Sequence, residues 1–280
     1  TYPRYALDFA FLRVYGSDGE PLETDHFFTW SLEGVQEGDV VFVIGNPGPT
    51  NRLNTVAQLE FQRDVSVAAQ KAFLESRLAI MREFYQANPE EGEAMGLRNR
   101  MFGLSNSLKA NTGRLSALRD PVIMARKANG ERQFQGALES EEELASRWGD
   151  LIRDMAQVQE EKREISPEYS AYAGMGPGNT ESALLIRAFY ASLYLEARGQ
   201  NAPEESLNEI RGQILGVDDL PAEMDEAFLA ERLRDFVRHL GPNHPVTEAA
   251  LEGRSVEGAT THLLIQSDLA SQAKPQLAMD

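Results

Sequence analysis

Cysteine is absent from the 280 residues. That removes disulfide scaffolds, zinc–thiolate sites and cysteine nucleophiles together. It is compatible with an oxidising compartment without pointing to one. Histidine is scarce: His26, His239, His244 and His262 are the whole set. His239 and His244 are separated by Gly241-Pro242, so they do not share a helical face as a zinc-binding His-Glu-x-x-His pair does, and no metal site is expected. No apolar run approaches the length of a membrane span, and nothing at the start reads as a secretory leader. Blocks of Lys or Arg are missing too, and the formal net charge is −17. A surface of that sign repels phosphate backbones and anionic bilayers, so neither nucleic-acid binding nor docking on such membranes is expected.

What is present is an ordinary globular apolar fraction, 42%, enough for a real core. The first fifty residues have strand-type composition. Phe9–Tyr15 with its flanking positions, His26–Ser31 and Asp39–Ile44 predict short strands, separated by turns at Ser17–Pro21 and Glu33–Gly38. Two or three strands cannot make a sheet covered on both faces, so partner strands outside this chain are expected. The chain opens on Thr, inside an apparent strand, as if cut from something longer. The loop Gly45–Arg52 suits a Pro47-Gly48 type II turn. It lacks both phosphate-cradle patterns and a serine for a nucleophile elbow.

From about Thr55 the periodicity becomes helical. Val56, Leu59, Phe61, Val65, Phe73, Leu78, Met81 and Phe84 predict a helix ending at Asn88-Pro89. A second helix is expected from near Glu91 to Leu118, stopping before Asp120-Pro121. Others are expected over 122–138, 141–164, 180–199, 203–215, 221–240 and 255–270, with Gly174–Gly178 as the clearest linker. The acidic run Glu139–Glu143 suits the N-terminal turn of a helix better than a metal site. The expected fold is mainly α with a small β portion (α+β).

One carboxylate stands out. Asp8 enters an apolar strand, which is costly unless it is paired. A loop cap or an ion pair with Arg4 or Arg13 would answer that; so would orienting a catalytic histidine. The motif Tyr2-Pro-Arg-Tyr-x-x-Asp8-Phe-x-Phe-x-Arg-x-Tyr15, followed by Glu37-Gly-Asp-Val-Val-Phe-Val-Ile-Gly-Asn-Pro-Gly-Pro-Thr-Asn-Arg52, resembles the bacterial serine dipeptidyl-peptidases of the dipeptidyl peptidase VII and XI type. The resemblance implies a chymotrypsin-like double barrel bearing a Ser-His-Asp triad, with a large helical domain inserted. On that basis residues 1–56 would be a piece of the barrel and 57–280 an incomplete helical cap. Asp8 would be the triad aspartate, with the histidine upstream and a Gly-Asn-Ser-Gly-type serine downstream; neither motif occurs in this sequence.

The same resemblance gives peptides with a free N-terminus as substrate, no cofactor, and a periplasmic or cell-surface location in a Gram-negative bacterium. It leaves room for a homodimer. A helical-domain asparagine that contacts the bound dipeptide would fall in the polar stretch Ser105–Gly113: Asn106 first, Asn111 second. An Asn amide both donates and accepts, which suits reading a peptide backbone; a solvent-facing polar patch explains the stretch as readily. Arg4 is expected to be structural. Two competitors remain. A stand-alone acidic helical binding module with a pairing β arm accounts for the helices but not for Asp8. A trypsin-like endopeptidase fits less well, because a helical insertion would obstruct an open cleft.

Overall fold

The computed structural model describes residues 11–42, 45, 53–176 and 181–271. It contains two compact units, Thr1–Thr50 and Asn51–Asp280.

Among the described residues of the first unit the expected β portion does not form. Among the described residues there is no strand, only an isolated antiparallel bridge between Tyr15 and Pro21. It is closed by Leu22 N–H donating to Val14 O at 2.9 Å and Gly16 N–H donating to Glu20 O at 2.8 Å. The turn at Ser17–Pro21 is thus real, but the segments 26–31 and 39–42 make no strand pairing with the described residues, and Phe11 and Trp30 are 81% and 75% exposed. The described fold is all-α, not α+β, and no part of it is a barrel segment. The physical reason is that β-branched and aromatic residues favour a strand through cross-strand packing, not by intrinsic backbone preference. Without a paired neighbour that preference has nothing to act on.

The second unit is built of helices joined by turns and short loops. Thr55 opens it with a capping box: its hydroxyl accepts from the Gln58 amide while Gln58 Oε1 accepts from the Thr55 amide at 2.9 Å. α1 (Val56–Phe61) runs into a π-helical stretch, Gln62–Ser66, and on into α2 (Val67–Ala87). The long helix expected from Val56 to Asn88 therefore exists, with one wide turn in it. The helix expected from Glu91 is two: α3 (Pro89–Ala94) and α4 (Leu97–Arg119), broken where Gly96 adopts φ 66°. Asp120 stops α4 and caps α5 (Pro121–Glu139), accepting from the Val122 and Ile123 amides.

Gly149 likewise splits the expected 141–164 helix into α6 (Glu142–Trp148) and α7 (Leu151–Glu164). The short α8 (Ser166–Ala171) follows. Then come α9 (Ala183–Gly199), α10 (Glu204–Leu215) and α11 (Ala222–Leu240). The short α12 (Pro245–Leu251) and α13 (Val256–Gln266) close the described chain.

α2 and α4 form an antiparallel pair. On α4, Leu97, Met101, Leu104, Leu108, Leu115 and Leu118 follow alternating four- and three-residue spacings with position 111 passed over, the repeat of a helix–helix seam. Leu97 meets Met81 and Phe84 at one end, together with Met224 and Phe228 of α11. At the other end Leu115 and Leu118 meet Leu59 and Val67. A third cluster joins Ala171, Leu233, Phe236 and Ala259, placing α8, α11 and α13 together.

After α8 the chain turns at Gly174, with φ 68°, and a Cβ built there would lie 2.4 Å from the Phe73 ring. Gly174→Ala combines a left-handed backbone penalty with overpacking against α2, and a loss of about 2–4 kcal/mol is expected. An unchanged midpoint in urea denaturation would show that Phe73 moves aside and that the turn is not constrained.

Candidate functional site

The two asparagines singled out in the sequence lie on α4, but the helix does not bring them together. Five positions at about 100° each put them roughly 140° apart around the axis. Asn111 fills the one polar place in the apolar seam against α2, and its Nδ2 donates to the Ser107 carbonyl at 2.9 Å. A polar group at such a position commonly fixes register at some cost in stability. Asn106 is exposed on the outer face, one turn after Phe102, which is 73% exposed. Of the two, Asn106 is exposed and Asn111 is half-buried. Asp8, with Tyr2, Pro3 and Arg4, lies outside the described residues.

The histidines are dispersed. His26 is exposed in the first unit. His244 caps α12, its Nδ1 accepting from the Val246 amide at 3.3 Å. His262 lies 3.7 Å from Glu252, and His239 is half-buried near the end of α11. Among the described residues no group of three or more His, Asp or Glu side chains is placed to hold a metal ion.

The densest assembly of charge is buried. Arg77 of α2 and Arg232 of α11 are fully buried, beside Glu181, which is 1% exposed, and the buried Asp235. Arg77 reaches Glu181 at 3.2 Å and Asp235 at 2.9 Å. Arg232 grips Glu181 with two nitrogens, Nε at 3.2 Å from Oε2 and Nη2 against Oε1. It also donates to the carbonyls of Ala171 at 2.6 Å and Ala173 at 2.9 Å. The Phe73 ring covers the Arg77 guanidinium at 4.6 Å. Two buried guanidinium groups thus face two buried carboxylates, and the half-exposed Arg238 also reaches Asp235 at 2.6 Å; most donors are used, the condition under which buried charge is tolerated.

A second fully buried arginine site adjoins it on α9. Arg187 donates to the Val217 carbonyl at 2.8 Å and the Leu269 carbonyl at 3.1 Å, and is ion-paired with Asp219. Nearby, Asp225 accepts from the Ala183 amide at 2.8 Å. Burial pushes the Asp225 carboxyl above its usual range, against the pull of the Ala183 amide and the Arg187 charge. Between α3, α4, α9 and the segment 216–220 lies a cleft of about 740 Å³ whose lining includes Arg100, Glu181, Tyr190 and Asp218.

These features acquire a family context from sequence comparison. The description of the Peptidase S46 family fits residues 1–280, the whole chain. The chain belongs to the Peptidase S46 family. It is 27% identical over 214 residues to an Asp/Glu-specific dipeptidyl-peptidase of Shewanella putrefaciens, covering 73% of this chain and 28% of that protein. An Asp/Glu-specific dipeptidyl-peptidase of Capnocytophaga gingivalis is 26% identical over 229 residues, 77% of this chain and 31% of that one. Dipeptidyl-peptidase 7 of Phocaeicola vulgatus is 25% identical over 143 residues, 48% and 20% respectively. The S46 chain therefore spans about a third or less of the length of these relatives.

In this S46 chain the buried arginines were the residues that periodicity alone did not mark. Their signal was available: Arg77 sits among Leu74, Leu78 and Met81, and Arg232 among Phe228, Leu229, Leu233 and Phe236, each on the apolar face of its helix. An arginine there must be paired internally.

Glu181→Ala would leave two buried guanidinium groups facing one carboxylate, and a loss of about 3–5 kcal/mol is expected in chemical denaturation. Arg232→Lys should recover little, since an ammonium cannot reach both carbonyls and Glu181 at once. Wild-type stability in either variant would contradict a clamp. The imidazole of His239 is held below its ordinary value of 6.5, mainly by burial. Above that value it is neutral whether folded or unfolded; below it the unfolded chain takes up the proton first, so stability is lost as pH falls. His239→Gln should flatten the decline of Tm between about pH 7 and 5; an unchanged slope would assign the decline to other groups.

Proposed function

We propose that this chain is part of a serine-type exopeptidase that releases dipeptides from the free N-terminus of peptides. The observation that carries this reading is the match of all 280 residues to Peptidase S46. Relatives named Asp/Glu-specific dipeptidyl-peptidase and dipeptidyl-peptidase 7 support it. In this reading Asp8 holds the catalytic imidazole in the tautomer that accepts the serine proton, and stabilises the imidazolium that forms. The serine attacks the second peptide bond, the remainder of the peptide leaves, and water releases the dipeptide from the acyl-enzyme.

The helical residues 57–280 act as a cap limiting entry to chain ends, and residues 1–56 belong to the catalytic part. Asn106, presented outward beside Phe102, contacts the peptide backbone. A periplasmic or cell-surface location suits an enzyme acting on peptides, and the absence of cysteine is compatible with it.

In the full-length protein, Asp8→Asn is expected to lower kcat by about four orders of magnitude with the fold intact. Activity within tenfold of the parent would remove Asp8 from the triad. Asn106→Ala should raise KM by about tenfold, the worth of one good hydrogen bond; unchanged kinetics would reject that contact. The 280 residues alone are expected to cleave no dipeptidyl substrate.

A further inference from the structure

A cavity of about 340 Å³ opens beside the π-helical turn, lined by Gln58, Phe61, Gln62, Ser66, Gln159, Lys162, Ile165, Ser166 and Tyr169. No carboxylate is in that lining, although the chain carries 44 Asp and Glu residues. Two of its glutamines are held in one sense. Gln58 Oε1 is occupied by the Thr55 amide at 2.9 Å, and Gln62 Oε1 by Arg114 at 2.7 Å. Those bonds fix which end of each side chain is oxygen, so both NH2 ends are left to donate. Lys162 adds a cation, held 4.6 Å above the Phe61 ring. The buried Gln159 is fixed in the opposite sense: its Nε2 donates to the Met155 carbonyl at 3.3 Å, which leaves its oxygen as the acceptor. Phe61 and Ile165 supply apolar wall.

We propose that this cavity binds an acylated α-amino carboxylate, the chemistry shared by N-acyl amino acids and the C-terminal residue of a peptide. The carboxylate meets the donors of Gln58 and Gln62 and the charge of Lys162. The amide N–H is taken by Gln159 Oε1, and an apolar side chain lies against Phe61 and Ile165. A free α-ammonium would find no acidic partner here, which sets the site apart from one that holds a peptide N-terminus. The π-helical turn, which contributes Gln62 and Ser66, is an independent pointer, since such turns are frequent at functional sites. The volume is at the small end for ligand cavities, in keeping with one residue and its acyl group. None of this depends on the peptidase reading, because the test measures binding and not turnover.

The full-length protein, with the side-chain NH2 groups followed by 15N NMR, is titrated with N-acetyl-leucine, N-acetyl-leucinamide, free leucine and acetyl-Ala-Ala-Leu. N-acetyl-leucine is expected to shift the NH2 signals of Gln58 and Gln62 and to bind at least tenfold more tightly than the amide or free leucine. Lys162→Met, an exposed position whose loss should not disturb folding, is expected to weaken it about tenfold while thermal stability is kept. If acetyl-Ala-Ala-Leu binds more tightly than N-acetyl-leucine the natural source is a peptide end, and if more weakly, a small molecule; both agree with the proposal. Equal binding of acid and amide, shifts confined to residues elsewhere, or an unaffected Lys162→Met variant would overturn it.

Discussion

One guanidinium group governs the arrangement of the helical unit. Arg232, with no solvent contact, holds the carbonyls that end α8 and the carboxylate that precedes α9. It therefore pins both sides of the connection between α8 and α9 to a single point on α11. Arg77 meets the same Glu181 from α2 and adds Asp235, so helices far apart in sequence share one set of paired charges. Desolvating four charges is tolerable only while all four are present and bonded. That makes the arrangement all-or-none, a property that apolar packing of the same helices would not confer.

The consequence reaches α4 through α2, which carries Arg77 on its buried face and packs against the α4 seam. The leucines of α4 supply attraction but discriminate weakly between neighbouring registers. Asn111 penalises any arrangement that would trap its amide against leucine without a partner. The outward position of Asn106 is therefore a by-product of register as much as of its own side chain.

Much of the helical unit was legible in the sequence because a 3.6-residue period over long stretches is a strong signal. Asn88-Pro89 and Asp120-Pro121 marked real boundaries. Gly96 and Gly149 were harder: each is one residue inside a continuous periodic pattern, and only the backbone shows that the helix breaks there. α8 and α12 are too short for periodicity to register. The first unit failed for a different reason, since composition can indicate a residue suited to a strand without supplying the neighbour that makes it one. The buried arginines show a related blindness. Charge was counted as surface, and only their place on an apolar face gave them away. The family motifs were legible, while Asp8, the residue they emphasise most, lies outside the described residues.

The wide turn between α1 and α2 has an implication for how this helix can vary. Leu59 and Val67 belong to one apolar cluster, yet eight positions along a regular α-helix would leave them about 80° out of phase. The turn closed by Val67 N–H donating to Gln62 O absorbs one residue, so the two behave as if seven apart, within about 20° of alignment. Losing one residue from this stretch would thus restore an ordinary helix and keep both ends facing the core, whereas gaining one would swing α1 away from it. Length change here is tolerated in one direction only. A shortened version would retain its core and forfeit the widened turn that carries Gln62.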